Sequence, residues 1–195
     1  MDDAYIFIIG FNKTATRSLH HLFSSHGYPA VHWDSGRLAV KLLENLINGK
    51  AIFAGYDEKF RVFSDLTYLN SRIDIQGNQF FRIMDRDYPE SYFIHNYRDT
   101  EDWIRSRAAH GQSAGPNSFL SRSMRVNNTS DPEIVFELWR KQKTEFEREV
   151  RSYFEGNPRF LDLEIDQPDI CGKLGSFLGR EFDDAHWQHI GKTTG

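Results

Sequence analysis

Apolar and polar positions succeed one another along the chain in short runs typical of strands and longer stripes typical of helices. The run from Ile6 to Ile9 predicts a buried strand, and an apolar stripe over 16–26 predicts the helix that follows it. The same succession recurs over 91–97 and 100–110. Because strands and helices alternate, the pattern favours an α/β fold with a mainly parallel sheet.

The remaining elements follow from the same periodicities. Helices are predicted over 36–48, near 77–87, from 132 onward and over 168–178, and strands over 61–65 and 160–164. The stretch 111–130 is rich in Gly, Ser, Asn and Arg and has no clear period, so we expect a loop there. A chain of 195 residues without repeats predicts a single domain, residues 1–195.

Composition argues against several classes of protein. A net charge of −4 argues against a general affinity for nucleic acid. The single cysteine, Cys171, cannot form an internal disulfide, which fits a reducing compartment. Asp2 and Asp3 do not suit a signal peptide, and no apolar run reaches the roughly 20 residues of a membrane span. We therefore expect a cytoplasmic protein with neither nucleic-acid nor membrane partners; the sequence does not indicate its oligomeric state.

The turn after the first strand has the composition of an anion-binding loop. Gly10 allows the chain to turn, and Lys13, Thr14, Thr16 and Ser18 lead directly into the predicted helix. Unpaired N–H groups, the helix dipole and the charge of Lys13 would all attract a phosphate. The loop is not a Walker A sequence, G-x-x-x-x-G-K-[ST], because no Gly precedes Lys13. A plain turn with a solvated Lys is the alternative explanation.

A second junction between a strand and a helix carries a cation and a hydroxyl. Arg98 stands at the end of the predicted strand 91–97, and Ser106 lies two helical turns further on. The planar guanidinium of an Arg can bond a phosphate through two N–H groups. Arg98 can also be explained as a surface partner of Asp99 or Asp102.

Three charged residues, Lys13, Asp65 and Arg98, each follow a predicted strand. Ligands of parallel α/β sheets bind beyond the carboxyl ends of the strands. We therefore expect these three side chains to meet at one edge of the sheet, an expectation that needs only the order of the elements.

The motif K-T-x-T-x-S at 13–18 resembles the 5′-phosphosulfate loop of sulfotransferases, and Arg98 with Ser106 resembles their 3′-phosphate segment. The chain is most similar to small bacterial members of that superfamily. The resemblance implies a three-layer, P-loop-NTPase-like sulfotransferase fold. It implies 3′-phosphoadenosine 5′-phosphosulfate (PAPS) as the donor and no metal. It also implies transfer of a sulfuryl group to a hydroxyl or amine of a small-molecule or glycan acceptor. The residues that it assigns to the 5′-phosphate are Asn12, Lys13, Thr14, Ala15, Thr16, Arg17 and Ser18, of which Arg17 either reaches the phosphate or faces solvent.

Sulfuryl transfer requires two further roles. Lys13 is the candidate to neutralise the negative charge that grows on the leaving phosphate. A base must take the proton of the acceptor, and both Asp65 and His32 qualify. Similar sulfotransferases carry an Asp at the place of Asp65, usually followed by an aromatic residue and Pro, where this chain has Leu66 and Thr67. His32 also resembles a family position, and the ordinary pKa of His near 6.5 suits a base. A turn acid and a structural His are the respective alternatives.

The C-terminal tail is similar to part of another family element. Many sulfotransferases close over the 3′-phosphate with a basic, Gly-containing loop, which Gly191 and Lys192 resemble, so Lys192 is a candidate donor ligand. The tail lacks the longer family loop, and a frayed terminus explains it equally well.

Two other functions fit the same residues. A small-molecule kinase of the P-loop class would use Lys13 and Thr14 on phosphates and Asp65 on magnesium. A nucleotide-binding module that has lost catalysis would keep the loop, and the departure after Asp65 is compatible with it.

Overall fold

A five-stranded, entirely parallel sheet forms the centre of the fold. The computed structural model describes residues 4–111 and 115–188. The strands of the sheet are β1 (Ile6–Ile8), β2 (Ala30–His32), β3 (Val62–Ser64), β6 (Tyr92–Tyr97) and β7 (Phe160–Glu164). Their order across the sheet is β2-β3-β1-β6-β7, and β4 (Thr67–Leu69) pairs with β5 (Asp74–Gln76) in a separate antiparallel hairpin.

Helices connect the strands of the sheet. They are α1 (Thr16–Ser25), α2 (Arg37–Ile47), α3 (Phe81–Asp87), α4 (Thr100–Ala108), α5 (Phe119–Val126), α6 (Pro132–Tyr153) and α7 (Ile170–Leu178). Within residues 4–111 and 115–188, none of the helices is both long enough and apolar enough to cross a bilayer.

Alternate residues of β1 face opposite sides of the sheet, and each side has its own core. Phe7 packs in a large aromatic cluster with side chains of α2, α3, α4, α5 and α6. Ile6 and Ile8 belong to a second cluster with Leu19 of α1 and Leu174 of α7. Helices therefore cover both faces, which confirms the predicted three-layer α/β architecture with a parallel sheet.

The prediction of a loop over 111–130 is wrong in its second half, where α5 forms. Ser118 caps this helix by accepting a hydrogen bond from the Ser121 N–H, and Phe119 is buried against α6. A polar residue, Ser123, occupies the buried side one turn later, so the apolar period is interrupted in the sequence. Strands β2, β4 and β5 were also not predicted, because three residues are too few to show a period.

The position of β1 in the sheet defines a crevice. It lies between β3 and β6, because the chain passes from β1 to β2 and β3 on one side and then crosses to β6 on the other. At such a switch point the connections diverge and leave a cleft at the carboxyl ends of the strands. The residues that follow β1, β3 and β6 line this cleft.

Candidate active site

The loop after β1 is held in shape by buried side chains from the neighbouring strand β6 and from α4. Asn96 accepts a hydrogen bond from the Gly10 N–H at 2.8 Å and donates to the Thr14 carbonyl at 2.6 Å and to Thr14 Oγ1 at 2.8 Å. Trp103 of α4 donates its indole N–H to the Asn12 carbonyl at 2.9 Å. The loop is thus fixed before any ligand arrives, which is the preorganisation that an anion site needs.

A glycine is required at position 10 for a steric reason. A Cβ built at this position would lie 2.0 Å from the Asn96 carbonyl oxygen, closer than any side chain can approach. Lys13 and Ala15 have φ of 69° and 61°, so the loop turns through left-handed conformations without a glycine at either position. Such backbone strain occurs where the surrounding contacts hold it in place.

The N-terminus of α1 faces this loop and is not capped by a side chain. Ala15 occupies the cap position, and no acidic residue lies in the first turn. The Thr16 and Ser18 side chains are buried beside it. Uncapped N–H groups and the positive end of the helix dipole are suited to an anion. The Thr14 hydroxyl donates within the loop to the Phe11 carbonyl at 2.6 Å, so Thr14 would meet an anion through its backbone.

Lys13, Asp65 and Arg98 follow the adjacent strands β1, β3 and β6, and their charges act on one another. The pKa of Lys13 is lowered first by burial and then by the cations Arg17 and Arg98, while Asp65 raises it. Arg17 itself is exposed. The edge of the sheet therefore combines several cations with one buried carboxylate, and a ligand with more than one negative group fits that charge distribution.

His32 and Asp65 form a pair at this edge. Nε2 of His32 lies 3.7 Å from Oδ2 of Asp65, and its Nδ1 lies 3.1 Å from Oγ of Ser64. When the Ser64 hydroxyl donates to the Val31 carbonyl, at 3.3 Å, it accepts from His32 and the imidazole proton lies on Nδ1. When that hydroxyl donates to Nδ1 instead, the imidazole proton lies on Nε2 and faces the carboxylate.

The environment separates the proton affinities of this pair. Burial raises the pKa of Asp65 to about 6, although hydrogen bonds from Thr67 and the charges of Arg107 and Lys13 oppose the shift. Burial lowers the pKa of His32 to about 3, helped by His20 and Arg17. Near neutral pH the carboxylate is therefore ionised and the imidazole is neutral, so the carboxylate is the stronger base of the two.

Arg98 forms its ion pair with Asp166 rather than with Asp99 or Asp102, the two surface partners considered from the sequence. Its Nε lies 3.2 Å from Oδ2 of Asp166, in the turn after β7. Asp99 instead caps α4 by accepting from the N–H groups of Glu101 and Asp102, and the Asp102 carboxylate pairs with Arg105. Ser106 is half-buried two turns into α4.

Sequence reasoning missed Arg107, one turn after Trp103 on the buried face of α4. It is 0% exposed, and none of its three guanidinium nitrogens has a hydrogen-bond partner among the described residues. Four rings surround it, with its Cζ 4.8 Å from the ring centroids of Trp103, Phe119 and Trp139 and 5.6 Å from that of Phe11. Helical spacing from Trp103 is the signal that could have placed it inside.

Lys192, the candidate donor ligand of the C-terminal tail, lies outside the described residues. In the described part of the chain, no group of three or more His, Cys, Asp or Glu side chains is placed to hold a metal ion.

The chain is similar to known proteins over nearly its whole length. A family model described as a sulfotransferase domain matches residues 5–193, which includes both strand-to-helix junctions. A search of curated proteins finds no match.

Proposed function

We propose that this chain, which belongs to the sulfotransferase domain family, transfers a sulfuryl group from PAPS to a hydroxyl or amine of a small-molecule or glycan acceptor. The family match supports a sulfotransferase, and the choice of PAPS as donor rests on the site. The observation that carries it is that two cations follow adjacent strands. Lys13 follows β1, in the loop before the uncapped N-terminus of α1, and Arg98 follows β6. A nucleotide with separate 5′ and 3′ anionic groups suits that pair.

The residues of the site fit the two ends of the donor. The loop 12–18 would bind the 5′-phosphosulfate through backbone N–H groups and the Thr16 and Ser18 hydroxyls, with Lys13 beside them. Arg98 and Ser106 would hold the 3′-phosphate, to which a guanidinium contributes charge-assisted hydrogen bonds. When bound, PAPS supplies a sulfuryl group on a phosphosulfate anhydride, with 3′-phosphoadenosine 5′-phosphate as the leaving group.

Lys13 would act on the charge that develops during transfer. Lys13 stands on a loop that Asn96 fixes, next to the N-terminus of α1. A preorganised cation costs no reorganisation when the negative charge on the leaving phosphate grows. Burial and neighbouring cations lower the pKa of Lys13, and a bound anion would reverse the effect of those cations.

Asp65 would take the proton of the acceptor, with His32 as its neighbour. The carboxylate is nearly buried and ionised near neutral pH, which gives a base with a pKa of about 6 close to working pH. Nε2 of His32 lies 3.7 Å from Oδ2 of Asp65, so in the tautomer that leaves Nε2 unprotonated it can share that proton once it is transferred.

Nucleotide binding tests the donor assignment without a known acceptor. The melting temperature of the protein is measured with 3′-phosphoadenosine 5′-phosphate and with adenosine diphosphate at equal concentrations. We expect a clearly larger rise with the first, since a ligand at a hundredfold excess over its Kd stabilises by about 2.7 kcal/mol. Equal shifts would remove the reason for assigning a 3′-phosphate site to Arg98 and Ser106.

Turnover tests the reaction class. Labelled PAPS, incubated with a mixed panel of phenols, amines and sugars, should yield labelled acceptor in the presence of a chelator. A magnesium-dependent transfer from ATP, with none from PAPS, would instead favour the kinase alternative.

A further inference from the structure

The proposed 3′-phosphate residue, Arg98, already holds a carboxylate. Its Nη2 donates to Oδ1 of Asp166 at 3.5 Å, and its Nε lies 3.2 Å from Oδ2 without the geometry of a hydrogen bond. The Arg98 side chain is 18% exposed and that of Asp166 is 39% exposed. The contact is therefore open to a competing anion from solvent.

The backbone, and not a chance rotamer, brings these two residues together. Strands β6 and β7 are parallel neighbours with Tyr97 opposite Glu164. The ladder continues for one more step, because the Ile165 N–H donates to the Tyr97 carbonyl at 2.9 Å. Asp166 thus leaves the sheet beside Arg98, at the same carboxyl edge that carries Lys13.

We propose that Asp166 competes with the 3′-phosphate for Arg98 and so lowers the affinity of the site for 3′-phosphorylated nucleotides. This inference rests on the proposed function, since it assumes that Arg98 receives that phosphate. It assigns to Asp166 a role in setting affinity and specificity, with no part in the chemical step.

The physical argument concerns one guanidinium and two anions. The Asp166 carboxylate accepts from Nη2 of Arg98 and lies 3.2 Å from its Nε, so a phosphate that reaches Arg98 meets that carboxylate on the same guanidinium. A carboxylate and a phosphate dianion on one guanidinium repel each other, and the repulsion is felt only when the 3′-phosphate is present. The consequence is a weaker hold on both the donor and its 3′-phosphorylated product, which would ease product release.

Asp166→Asn isolates the charge. The amide oxygen can still accept a hydrogen bond from Arg98, so the guanidinium keeps its support while the repulsion disappears. Asp169→Asn is the matched control, because it removes the same charge three residues further along the chain. The Asp169 side chain accepts a hydrogen bond from the Gly172 N–H. Asn is also a good cap and tolerates the left-handed conformation of Asp169, whose φ is 62°.

The experiment is calorimetric titration of wild type and both variants with 3′-phosphoadenosine 5′-phosphate and with adenosine diphosphate. We expect Asp166→Asn to bind the 3′-phosphorylated nucleotide about three- to tenfold more tightly than wild type at low salt, as suits a partly exposed pair. The gain should shrink at high salt. It should be absent for adenosine diphosphate and for Asp169→Asn.

Each outcome has one meaning. If wild type binds 3′-phosphoadenosine 5′-phosphate and Asp166→Asn binds it no more tightly, the competition is overturned and the donor assignment stays intact. An equal gain with adenosine diphosphate or in Asp169→Asn overturns it too, because the effect would then be general. No binding of the 3′-phosphorylated nucleotide by wild type or either variant overturns the donor assignment itself, and the competition with it.

Discussion

Nε2 of His32 lies 3.7 Å from Oδ2 of Asp65, while Nδ1 of the same imidazole lies 3.1 Å from Oγ of Ser64. In the tautomer with the imidazole proton on Nδ1, a lone pair of Nε2 faces the carboxylate oxygen. A proton taken from an acceptor hydroxyl or amine would then lie between the two. This relationship favours Asp65 as base with His32 as its partner, and it makes the activity and the stability of the protein depend on pH.

Activity should have an acid limb near pH 6. The pKa of Asp65 is raised to about 6 by burial, and the carboxylate accepts a proton only when it is ionised. We expect kcat/KM for sulfuryl transfer to rise tenfold per pH unit below that value and to level off above it. A profile of kcat/KM from pH 4.5 to 8 measures this, and a flat profile down to pH 5 would exclude Asp65 as the base.

Asp65→Asn should stabilise the fold at neutral pH while it abolishes transfer. Because the pKa of Asp65 is about 6 in the folded state and near 3.9 when unfolded, the native state binds more protons between those values. The wild type therefore loses stability as pH rises from 4 to 6, by up to about 3 kcal/mol for this group. Asn also tolerates the φ of 52° at this position.

The pH dependence of unfolding checks this sign. Midpoints of urea unfolding are compared for wild type and Asp65→Asn at pH 4, 5, 6 and 7, and the advantage of the variant should grow over that range. The lowered pKa of His32 adds a loss of stability below pH 6.5 in both proteins, so it cancels in the difference. Parallel curves would mean that Asp65 is not held at a raised pKa.

Lys13→Ala should reduce turnover far more than it weakens donor binding. Contacts that strengthen in the transition state act on kcat, and loss of one preorganised donor costs about 10²–10³ in rate. The substitution leaves the backbone strain at φ 69° nearly unchanged, since both residues carry a Cβ. Steady-state kinetics together with the Kd for 3′-phosphoadenosine 5′-phosphate separate the two effects, and an intact kcat would identify Lys13 as a solvated loop residue.

Arg98→Ala should act mainly on affinity. A 3′-phosphate is remote from the reacting sulfur, so its contact should be equal in the ground and transition states. A charge-assisted hydrogen bond contributes about 1.5–3 kcal/mol, or roughly 10- to 150-fold in Kd. Arg98→Lys should recover only part of the loss because it lacks the bidentate fork. If Arg98→Ala binds 3′-phosphoadenosine 5′-phosphate as wild type does, Arg98 serves only its ion pair with Asp166.

Arg107→Met should leave stability unchanged or raise it. Four rings surround the guanidinium but give its N–H groups no acceptor, so Arg107→Met removes buried donors whose hydrogen bonds are not made. Because the charge of Arg107 lowers the pKa of Asp65, the acid limb of activity should move to higher pH in the variant. Arg107→Lys, which keeps the charge, is the control. A large loss of stability with an unmoved acid limb would show that Arg107 is purely structural.

The sequence determined the sheet edge and the charged residues placed there. The local signals are the apolar run of β1, the glycine after it and the apolar stripe of α1. The strand β6, with Arg98 directly after it, is a local signal of the same kind. Parallel strands bring their carboxyl ends together in any such fold, so Lys13, Asp65 and Arg98 could be assigned to one cleft without coordinates.

Only the tertiary structure decided how those residues are held and with what partners. The Asn96 bonds to Thr14 join residues 82 positions apart, and the contact of Arg98 with Asp166 spans 68. Pairings over such distances depend on strand register and on which elements become neighbours, and local periodicity contains neither. For the same reason the burial of Arg107 among rings from the β1 loop, α4, α5 and α6 appears only when those elements pack together.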